Sequence, residues 1–356
     1  YRVAQSLFTR GGIVRDMTRE KTEVTTTGKT PDKTHVIRVH KYGGPDVFKW
    51  EEADIGEPGP DEIRIKQTAI GLNFIDVYMR SGLYPQDQLP FIPGTEGAGV
   101  VIALGEGVRT LKVGRRVAYA GQLGAYAQER LIPADRVVRI PDGVSDETAA
   151  AVILKGMTAQ YLLREIYKVG PKTTLLFHAA AGGVGTIACQ WAASLGATVI
   201  GTVGSAGKAL VARSHGCTHV INYLEEDFVA KVKEYTKGEG VDVVYDSVGK
   251  ETFPGSLDCL KRRGLWVSFG QSSGPVPEYR INLLAQKGSL VATRPSLWDF
   301  IATRKELVST ANDLFDVLGK GAVKVQVNQT FALKDAAMAH SAMEGRRTTG
   351  SSVLIP

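Results

Sequence analysis

The spacing of apolar positions divides the chain into two patterns. Residues 35–141 alternate apolar and polar positions in short stretches, such as 62–67, 99–103 and 116–120, with glycine and proline between them. Alternation of this kind with frequent turn residues predicts a compact β-rich unit. From residue 173 onward, short apolar runs are separated by stretches with helical spacing, which is typical of repeated βαβ units and a parallel sheet.

Six apolar runs predict the strands of that parallel sheet. They cover residues 173–178, 197–202, 219–221, 241–246, 265–269 and 290–293. Six strands with intervening helices complete a doubly wound α/β domain. Further along, residues 304–318 predict an amphipathic helix, 323–327 a strand and 334–344 a helix. These elements are too few to form a core alone, so we expect them to complete the β-rich unit.

The composition is that of a globular protein with more than one domain. The chain has 356 residues, 43% of them hydrophobic and 22% charged. It lacks an apolar run of the roughly 18–20 residues that a membrane span needs. Cys189, Cys217 and Cys259 are odd in number and widely spaced, which argues against a disulfide framework and a cysteine zinc site. Reduced thiols are typical of intracellular proteins, and we expect a cytoplasmic location.

The net charge of +6 is unevenly distributed. Residues 1–34 contain seven basic and four acidic side chains, half of the excess, and predict a disordered or loosely attached N-terminal extension. Residues 1–15 have three arginines and no acid, as organelle transit peptides do. The extension is therefore either a leader remnant, which would indicate organelle import, or residues introduced by cloning. Elsewhere the basic runs are short, unlike the patch of a dedicated nucleic-acid surface.

A glycine-rich turn is the strongest local signal for a ligand site. Residues 179–185 read AAAGGVG, follow the predicted strand 173–178 and open a helical stretch over 184–195. Glycines permit a tight turn and a close approach to a pyrophosphate, and the helix N-terminus supplies unpaired N–H groups. This context predicts a dinucleotide-binding site.

The next predicted strand indicates which dinucleotide binds. An NAD site places an acid about 20 residues after the glycines, where it binds the ribose 2′-hydroxyl. Residues 198–208 contain no acid, whereas Ser205 and Lys208 offer a hydroxyl and an ammonium, and Tyr223 can pack against adenine. We therefore expect NADPH rather than NADH. The alternative for Lys208 is an ordinary exposed helix lysine.

The predicted β-rich unit cannot supply a catalytic zinc site of the Cys/His type. It contains no cysteine, and its histidines are His35 and His40. His178, beside the glycine turn, is interpreted as a packed core residue. We expect no metal, and therefore acceptors that take hydride without a Lewis acid, such as quinones or activated carbon–carbon double bonds.

Several motifs give the chain a resemblance to a known family. They are GLNFIDVY at 71–78, PGTEGAG at 93–99, KGMTAQY at 155–161, the glycine turn, YDSVG at 245–249 and TRPSL at 293–297. Over residues 35–356 the chain resembles the zinc-free NADPH:quinone oxidoreductases of the medium-chain dehydrogenase/reductase superfamily, the group that includes zeta-crystallin. In the zinc-dependent relatives, cysteine takes the place of Asn73 and Gly-His-Glu the place of residues 94–96.

The resemblance implies an α/β fold with two domains after the extension 1–34. A GroES-like β-rich catalytic domain would comprise residues 35–156 and 294–356, and a Rossmann domain with a doubly wound parallel sheet residues 157–293. It also implies a homodimer that passes reducing equivalents from NADPH to quinones, as hydride or as single electrons.

The resemblance further implies the residues of the site. The catalytic end would comprise Asn73, Tyr78, Thr158 and Tyr84. The cofactor would contact Gly182, Gly183, Val184, Gly185, Gly204, Ser205, Lys208, Tyr223, Ser247, Phe269, Gly270, Ser272, Arg294, Ser296 and Arg346. The alternatives are that Asn73 stabilises a turn, that Asp76 caps a helix and that Tyr78 belongs to the core. Glu96, in an apolar stretch, is interpreted as a buried hydrogen-bonded acid rather than a base.

Two other functions stay open. Reduction of α,β-unsaturated aldehydes or ketones would use the same fold and cofactor. Zeta-crystallin-like proteins also bind AU-rich RNA, so an NADPH-modulated RNA-binding protein is the alternative from another class. The lack of an RNP-type aromatic strand and the small basic excess outside residues 1–34 argue against it.

Overall fold

The computed structural model describes residues 33–356, and the N-terminal extension predicted over 1–34 lies almost wholly outside them. The first elements are β1 Lys33–Val39, β2 Phe48–Asp54, β3 Glu62–Gly71, α1 Phe74–Ser81, β4 Glu96–Leu104, β5 Arg116–Ala120, β6 Glu129–Pro133 and β7 Val137–Arg139. Strands β1 and β2 form a separate antiparallel pair. Strands β3, β4, β5 and β7 pair antiparallel in that order, and β6 pairs with β3. The predicted strands of this half lie within β3, β4 and β5.

The middle of the chain forms the predicted parallel sheet. Its elements are α2 Asp146–Gln160, β8 Thr174–Phe177, α3 Gly183–Ser194, β9 Thr198–Val203, α4 Ala206–Ser214, β10 His219–Asn222, α5 Phe228–Tyr235, β11 Val241–Asp246, α6 Gly255–Asp258, β12 Leu260–Ser268, α7 Asn282–Gln286 and β13 Val291–Thr293. The strand order is β10-β9-β8-β11-β12-β13, the doubly wound Rossmann order. All six predicted strands are confirmed, with ends that differ by a few residues.

The C-terminal elements return to the first sheet. They are α8 Leu297–Phe300, α9 Arg304–Gly319, β14 Val327–Ala332, α10 Ala336–Glu344 and β15 Ser351–Ile355. Strand β15 pairs with β14 on one side and with β3 on the other, which gives that sheet seven strands in the described chain.

The strand predicted over 323–327 is wrong, because β14 begins only at Val327. Both backbone groups of Lys324 are bonded to the side-chain amide of Gln190 in α3, at 3.0 Å each. Val323, 1% exposed, packs into the core. The apolar pattern thus reports burial of a loop against α3 rather than a sheet ladder.

Helix α2 lies between the two sheets. It contacts β3, β4 and β5 on one side and α3 and α9 on the other. Every residue from Ala149 to Gln160 is buried, as expected for a helix that is apolar all round. Its polar members, among them Lys155 and Thr158, are therefore held in the molecular interior.

Candidate active site

A cavity of about 920 Å³ is bordered by elements of both sheets. Gly204, Ser247 and Phe269, on its wall, follow the carboxyl ends of β9, β11 and β12. Asn73 and Ser352, also on the wall, belong to the unit built on the seven-stranded sheet. Open α/β sheets bind ligands outside the carboxyl ends of their strands, and the volume is that of a cofactor site.

The cavity brings together nearly all of the predicted site residues. Those that line it are Asn73, Tyr78, Tyr84, Thr158, Gly182, Gly183, Val184, Gly185, Gly204, Lys208, Tyr223, Ser247, Phe269, Gly270, Ser272, Arg294, Ser296 and Arg346. Ser205 is not among the lining residues. Its exposed hydroxyl accepts the backbone N–H of Lys208 at 3.3 Å and caps α4. The roles of all these residues toward a ligand stay predictions.

The glycine turn leads into the N-terminus of α3 and leaves it without a side-chain cap. Gly182 is the N-cap of α3, and no side chain caps that helix terminus. A Cβ on Gly185 would lie 2.4 Å from the carbonyl oxygen of Ala179, so a larger residue cannot fit without movement of the turn. The first N–H groups of α3 are thus left to an external acceptor, and a diphosphate fits that requirement.

Two cations and a phenol lie together at the end of β9. The ammonium of Lys208 donates to the carbonyl oxygen of Arg346 at 2.9 Å, across 138 positions of sequence. Burial and the neighbouring Arg346 lower the pKa of Lys208. The Arg346 guanidinium lies 3.5 Å from the Tyr223 hydroxyl and pairs with Glu251 at 3.2 Å. This donor set fits a phosphate group on the cofactor's ribose.

The opposite end of the cavity has an aromatic wall. The rings of Tyr78 and Tyr84 meet edge to face with centroids 5.3 Å apart. The Tyr78 hydroxyl accepts the backbone N–H of Gln271 at 3.1 Å, and the Tyr84 hydroxyl accepts from Arg294 at 2.9 Å. Burial, only partly opposed by that bond from Gln271, raises the pKa of Tyr78 to about 12. Tyr78 is only 8% exposed and yet lies on the cavity wall. It is therefore both a core residue and a residue of the cavity.

Asn73 and Asp76 have the structural roles that were kept as alternatives, and Asn73 also faces the cavity. Asn73 is the N-cap of α1, and its backbone N–H donates to the Asp76 carboxylate at 2.9 Å. The Asn73 side-chain amide donates to Glu96 at 2.8 Å. Glu96 is fully buried and hydrogen-bonded, as its apolar surroundings in the sequence indicated, and its structural role stays an interpretation.

Comparison with known proteins identifies the family. The model of the alcohol dehydrogenase GroES-like domain matches residues 59–142, and that of the zinc-binding dehydrogenase matches 183–316. The chain is 55% identical over 323 residues to the quinone oxidoreductase of Salmonella typhimurium, covering 90% of this chain and 99% of that protein. The chain belongs to the quinone oxidoreductase family. The resemblance inferred from the motifs is thereby confirmed.

Two further comparisons bear on what members of the quinone oxidoreductase family bind. The Escherichia coli quinone oxidoreductase complexed with NADPH superposes with a TM-score of 0.89 at 53% identity, covering 90% of this chain and 100% of that one. A 2-haloacrylate reductase from Burkholderia is 48% identical over 325 residues, covering 89% of this chain and 98% of that protein. The fold is therefore shared with proteins named for different acceptors.

The zinc in the name of one matching model has no counterpart among the residues that the structure describes. Residues 33–356 contain no group of three or more His, Cys, Asp and Glu side chains placed to hold a metal ion. His178 is 1% exposed and bonds the hydroxyls of Thr202 and Ser256, which confirms it as a packed core residue. Over the same range, no helix is both long and apolar enough to cross a membrane.

Sequence reasoning missed Lys155 as a residue of the quinone oxidoreductase cavity. It lines the cavity, and its ammonium lies 2.7 Å from Glu96. One signal could have found it, because it is the only charged residue in the stretch 148–160 of a helix whose other positions are mostly apolar. A lysine in such a helix is buried only with a partner.

Proposed function

We propose that this protein is an NADPH-dependent quinone reductase that acts without a metal. One observation carries the proposal: a single cavity is lined by an uncapped glycine turn, by the cations Lys208 and Arg346, and by a wall of tyrosine and arginine. The stretch from β9 to Lys208 contains no acid that would oppose a phosphate. The Escherichia coli relative that is complexed with NADPH supports the cofactor, and its name supports the acceptor. We propose residues 157–293 as the cofactor domain and 35–156 with 294–356 as the catalytic domain.

The cavity residues divide by the part of the cofactor that each would hold. The N-terminus of α3, from Gly183 to Gly185, would hold the pyrophosphate. Lys208 and Arg346 would hold the 2′-phosphate, with Tyr223 beside the adenosine. The bound nicotinamide would supply a hydride to the acceptor.

Orientation and exclusion of water are the main contributions of the chain to this reaction. The Tyr78 and Tyr84 rings meet edge to face on the cavity wall and offer apolar surface against which a quinone ring can pack. Arg294 is fixed by bonds to the Ser268 carbonyl and the Tyr84 hydroxyl, so this wall has one arrangement. Holding two reactants in a fixed geometry can supply several kcal/mol of the activation barrier, about 7–11 in favourable cases.

Tyr78 is the proposed source of the proton that completes reduction, with solvent as the alternative. Its pKa of about 12 means that the hydroxyl keeps its proton at neutral pH. Since its oxygen accepts the Gln271 N–H, its own proton is free to be donated. With Tyr78→Phe, we expect slower turnover if the phenol donates, and an unchanged rate if solvent does.

The test is a stopped-flow measurement of NADPH oxidation after mixing with phenanthrenequinone. We expect rapid loss of nicotinamide absorbance with NADPH and a much weaker response with NADH, because NADH lacks the phosphate that Lys208 and Arg346 would bind. The absence of nicotinamide oxidation at every quinone concentration would refute the proposal.

The second candidate is reduction of an activated carbon–carbon double bond. The Burkholderia relative that is named a 2-haloacrylate reductase favours it. Its acceptor is a carboxylate, for which the Arg294 guanidinium on the cavity wall would be a partner. Parallel assays with phenanthrenequinone, an alkenal and a haloacrylate discriminate. A kcat/KM that is higher for either alkene would make this candidate the function.

We further propose a homodimer that pairs the edges of two parallel sheets. Strand β13 lies at one edge of the six-stranded sheet, and Val291 on it is 54% exposed. Ile281, before α7, is 75% exposed. An apolar edge strand is a template for pairing. Analytical ultracentrifugation should give a dimer, and Val291→Lys should give a monomer; a monomeric unaltered chain would contradict the proposal.

A cytoplasmic location is also a proposal, supported by three buried cysteines that are all free thiols. The leader hypothesis concerns residues outside the described range. Import assays with and without residues 1–34 test it. Binding to AU-rich RNA, the alternative from another class, would appear as a strongly salt-dependent affinity that NADPH competes away.

A further inference from the structure

Lys155 is a buried cation on the cavity wall with no part in the proposed function so far. It is 4% exposed, although the side chain borders the cavity. Lysines are almost never this buried unless they are paired. Its partner is Glu96, which is 0% exposed. The distance from the ammonium to Oε2 is 2.7 Å.

Glu96 fixes that ammonium in one place. Its Oε1 accepts the backbone N–H of Leu154 at 2.6 Å, and Oε2 is shared by Lys155 and the Asn73 amide at 2.7 and 2.8 Å. Gly71 makes the room, because a Cβ there would lie 2.1 Å from Oε2. The carboxylate of Glu96, on β4, is therefore hydrogen-bonded to the N-cap of α1 and to residues of α2, and these bonds fix its position.

The ammonium has bonding capacity left over. It carries three N–H donors. Within residues 33–356, its hydrogen bond is the one to Glu96. The other two donors belong to a side chain that borders the cavity and is 4% exposed. A fixed cation of this kind can stabilise a negative charge that develops on a ligand.

The path of the side chain places this cation between the glycine turn and Asn73. A Cβ on Gly183 would lie 2.8 Å from Cδ and 3.0 Å from Cε of Lys155, so the methylenes run along the first residue of α3. The ammonium beyond them meets the same carboxylate oxygen as Asn73. It therefore lies at the end of the cavity where Asn73 and Thr158 lie rather than at the Lys208 end.

Quinone reduction creates a negative charge that needs such a group. Hydride transfer moves one hydrogen nucleus and two electrons to the quinone, which becomes a hydroquinone monoanion. One proton then completes the product, so NADPH, quinone and one proton give NADP⁺ and hydroquinone. Between the two steps the charge lies on an acceptor oxygen inside the cavity.

We propose that Lys155 is a catalytic residue whose ammonium, held by Glu96, donates a hydrogen bond to the acceptor oxygen that becomes negative during hydride transfer. The inference rests on the proposed quinone reductase activity and deepens it. Lys155 keeps its own proton, and Tyr78 or solvent supplies the one consumed. Removing one preorganised donor from such a site typically slows the chemical step by about 10²–10³-fold.

The test combines Lys155→Met, Glu96→Gln and the double variant. Lys155→Met leaves a buried carboxylate without its cation and can fail to fold, whereas the double variant is electrically neutral and leaves no buried charge unpaired. Glu129→Gln is the matched control, since the Glu129–Arg64 pair, at 2.8 Å with Arg64 fully buried, lies away from the cavity-lining residues. It should lower stability and leave the rate of NADPH oxidation unchanged.

The measurements are the NADPH Kd from nicotinamide fluorescence and the single-turnover rate of preloaded protein with a series of quinones. We expect the double variant to bind NADPH within about threefold of the unaltered chain and to transfer hydride about 10²–10³-fold more slowly. The loss should be larger for quinones of low reduction potential, because their oxygens need more stabilisation. Lys155→Met, where folded, should be slowed at least as much as the double variant, because it also leaves the Glu96 carboxylate without its cation near the acceptor oxygen.

Each other outcome overturns the inference. Rates within twofold of the unaltered chain would make the pair purely structural. A weaker NADPH Kd with an unchanged rate in the loaded protein would make Lys155 a cofactor-binding residue. A loss that is equal for all quinones would exclude a role at the acceptor oxygen. If the unaltered chain itself failed to oxidise NADPH, the proposed quinone reductase function would be refuted. This result distinguishes a failure of the proposed function from a failure of the role given to Lys155.

Discussion

Asp76 is a buried carboxyl whose ionisation should make the stability of the fold depend on pH. It is fully buried on α1, where Oδ2 accepts the Asn73 N–H and the Tyr126 hydroxyl at 2.9 and 3.1 Å. Oδ1 has no hydrogen-bond partner among the described residues. Burial, outweighing these hydrogen bonds, raises the pKa of Asp76 from 3.8 to about 7. The neutral carboxyl is therefore the form that the fold accommodates.

The sign of the effect follows from which state loses the proton first. The folded pKa lies above the unfolded one, so the unfolded chain ionises at lower pH than the folded chain does. The contribution of Asp76 to stability is full below about pH 4, falls as the pH rises to about 7, and is constant above that. A shift of about three pKa units corresponds to about 4 kcal/mol, of which about 2–3 kcal/mol is lost between about pH 5 and pH 8.

The perturbation is Asp76→Asn, which keeps an acceptor for Asn73 and Tyr126 and cannot ionise. Urea denaturation followed by tryptophan fluorescence gives the free energy of unfolding at each pH. We expect the variant to gain about 2–3 kcal/mol relative to the unaltered chain between about pH 5 and pH 8. Parallel stability curves over that range would refute the reasoning.

Asp246 provides a matched control with the opposite shift. Burial alone would favour its neutral form, but His178 and hydrogen bonds from Gly249, Ser256 and Val248 hold the pKa of Asp246 below its usual value. Asp246 is then ionised in both the folded and the unfolded chain throughout the pH range of the experiment. Asp246→Asn should lower stability by a constant amount between about pH 5 and pH 8, with no slope of its own.

Three further predictions concern the cavity and the packing behind it. Lys208→Ala should reduce the preference for NADPH over NADH, measured as a ratio of kcat/KM, by about 10–100-fold, because one charge-assisted hydrogen bond contributes that much. The control is Arg213→Ala, which is also on α4 but is exposed and lies outside the cavity lining. It should leave the ratio unchanged. Gly185→Ala should weaken the NADPH Kd by about 100-fold through displacement of the turn, whereas Gly207→Ala, whose Cβ would meet no atom within 4 Å, should bind normally. Equal affinities of these two glycine variants would contradict the role assigned to the turn. Leu314→Ala, at a position with 0% exposure on α9, should lower the free energy of unfolding by about 2–5 kcal/mol in urea denaturation, and a smaller loss would mean that α9 packs loosely on α2.

The parallel sheet could be predicted because its strands are buried on both faces and stand out as continuous apolar runs. Runs such as residues 241–246 have a clear beginning and end, and the corresponding strand matches them. The pattern failed at 323–327, where the same apolar signal comes from a loop whose backbone is bonded by Gln190. Hydropathy reports burial, and it does not report which group satisfies the backbone.

The ends of the cavity differ in how far the sequence could predict them. The glycine turn and the acid-free end of β9 are local features of the sequence, so NADPH could be predicted without tertiary information. Arg346 followed only from the family resemblance, because its contact with Lys208 joins positions 138 residues apart. Lys155 was missed because α2 is buried on every face, and periodicity then gives no sign of which side borders the cavity.

The contacts that build the cavity also connect its two walls. Lys208 reaches the Arg346 carbonyl at one end, and Gln271 reaches the Tyr78 hydroxyl at the other. Each contact joins the parallel-sheet part of the chain to the part built on the seven-stranded sheet. A cofactor that spans these ends would contact both parts at once and would bind the folded arrangement alone, so its affinity adds to the stability of the whole. Thermal unfolding of the unaltered chain should therefore shift upward with NADPH concentration, and by much less in Lys208→Ala at the same concentration.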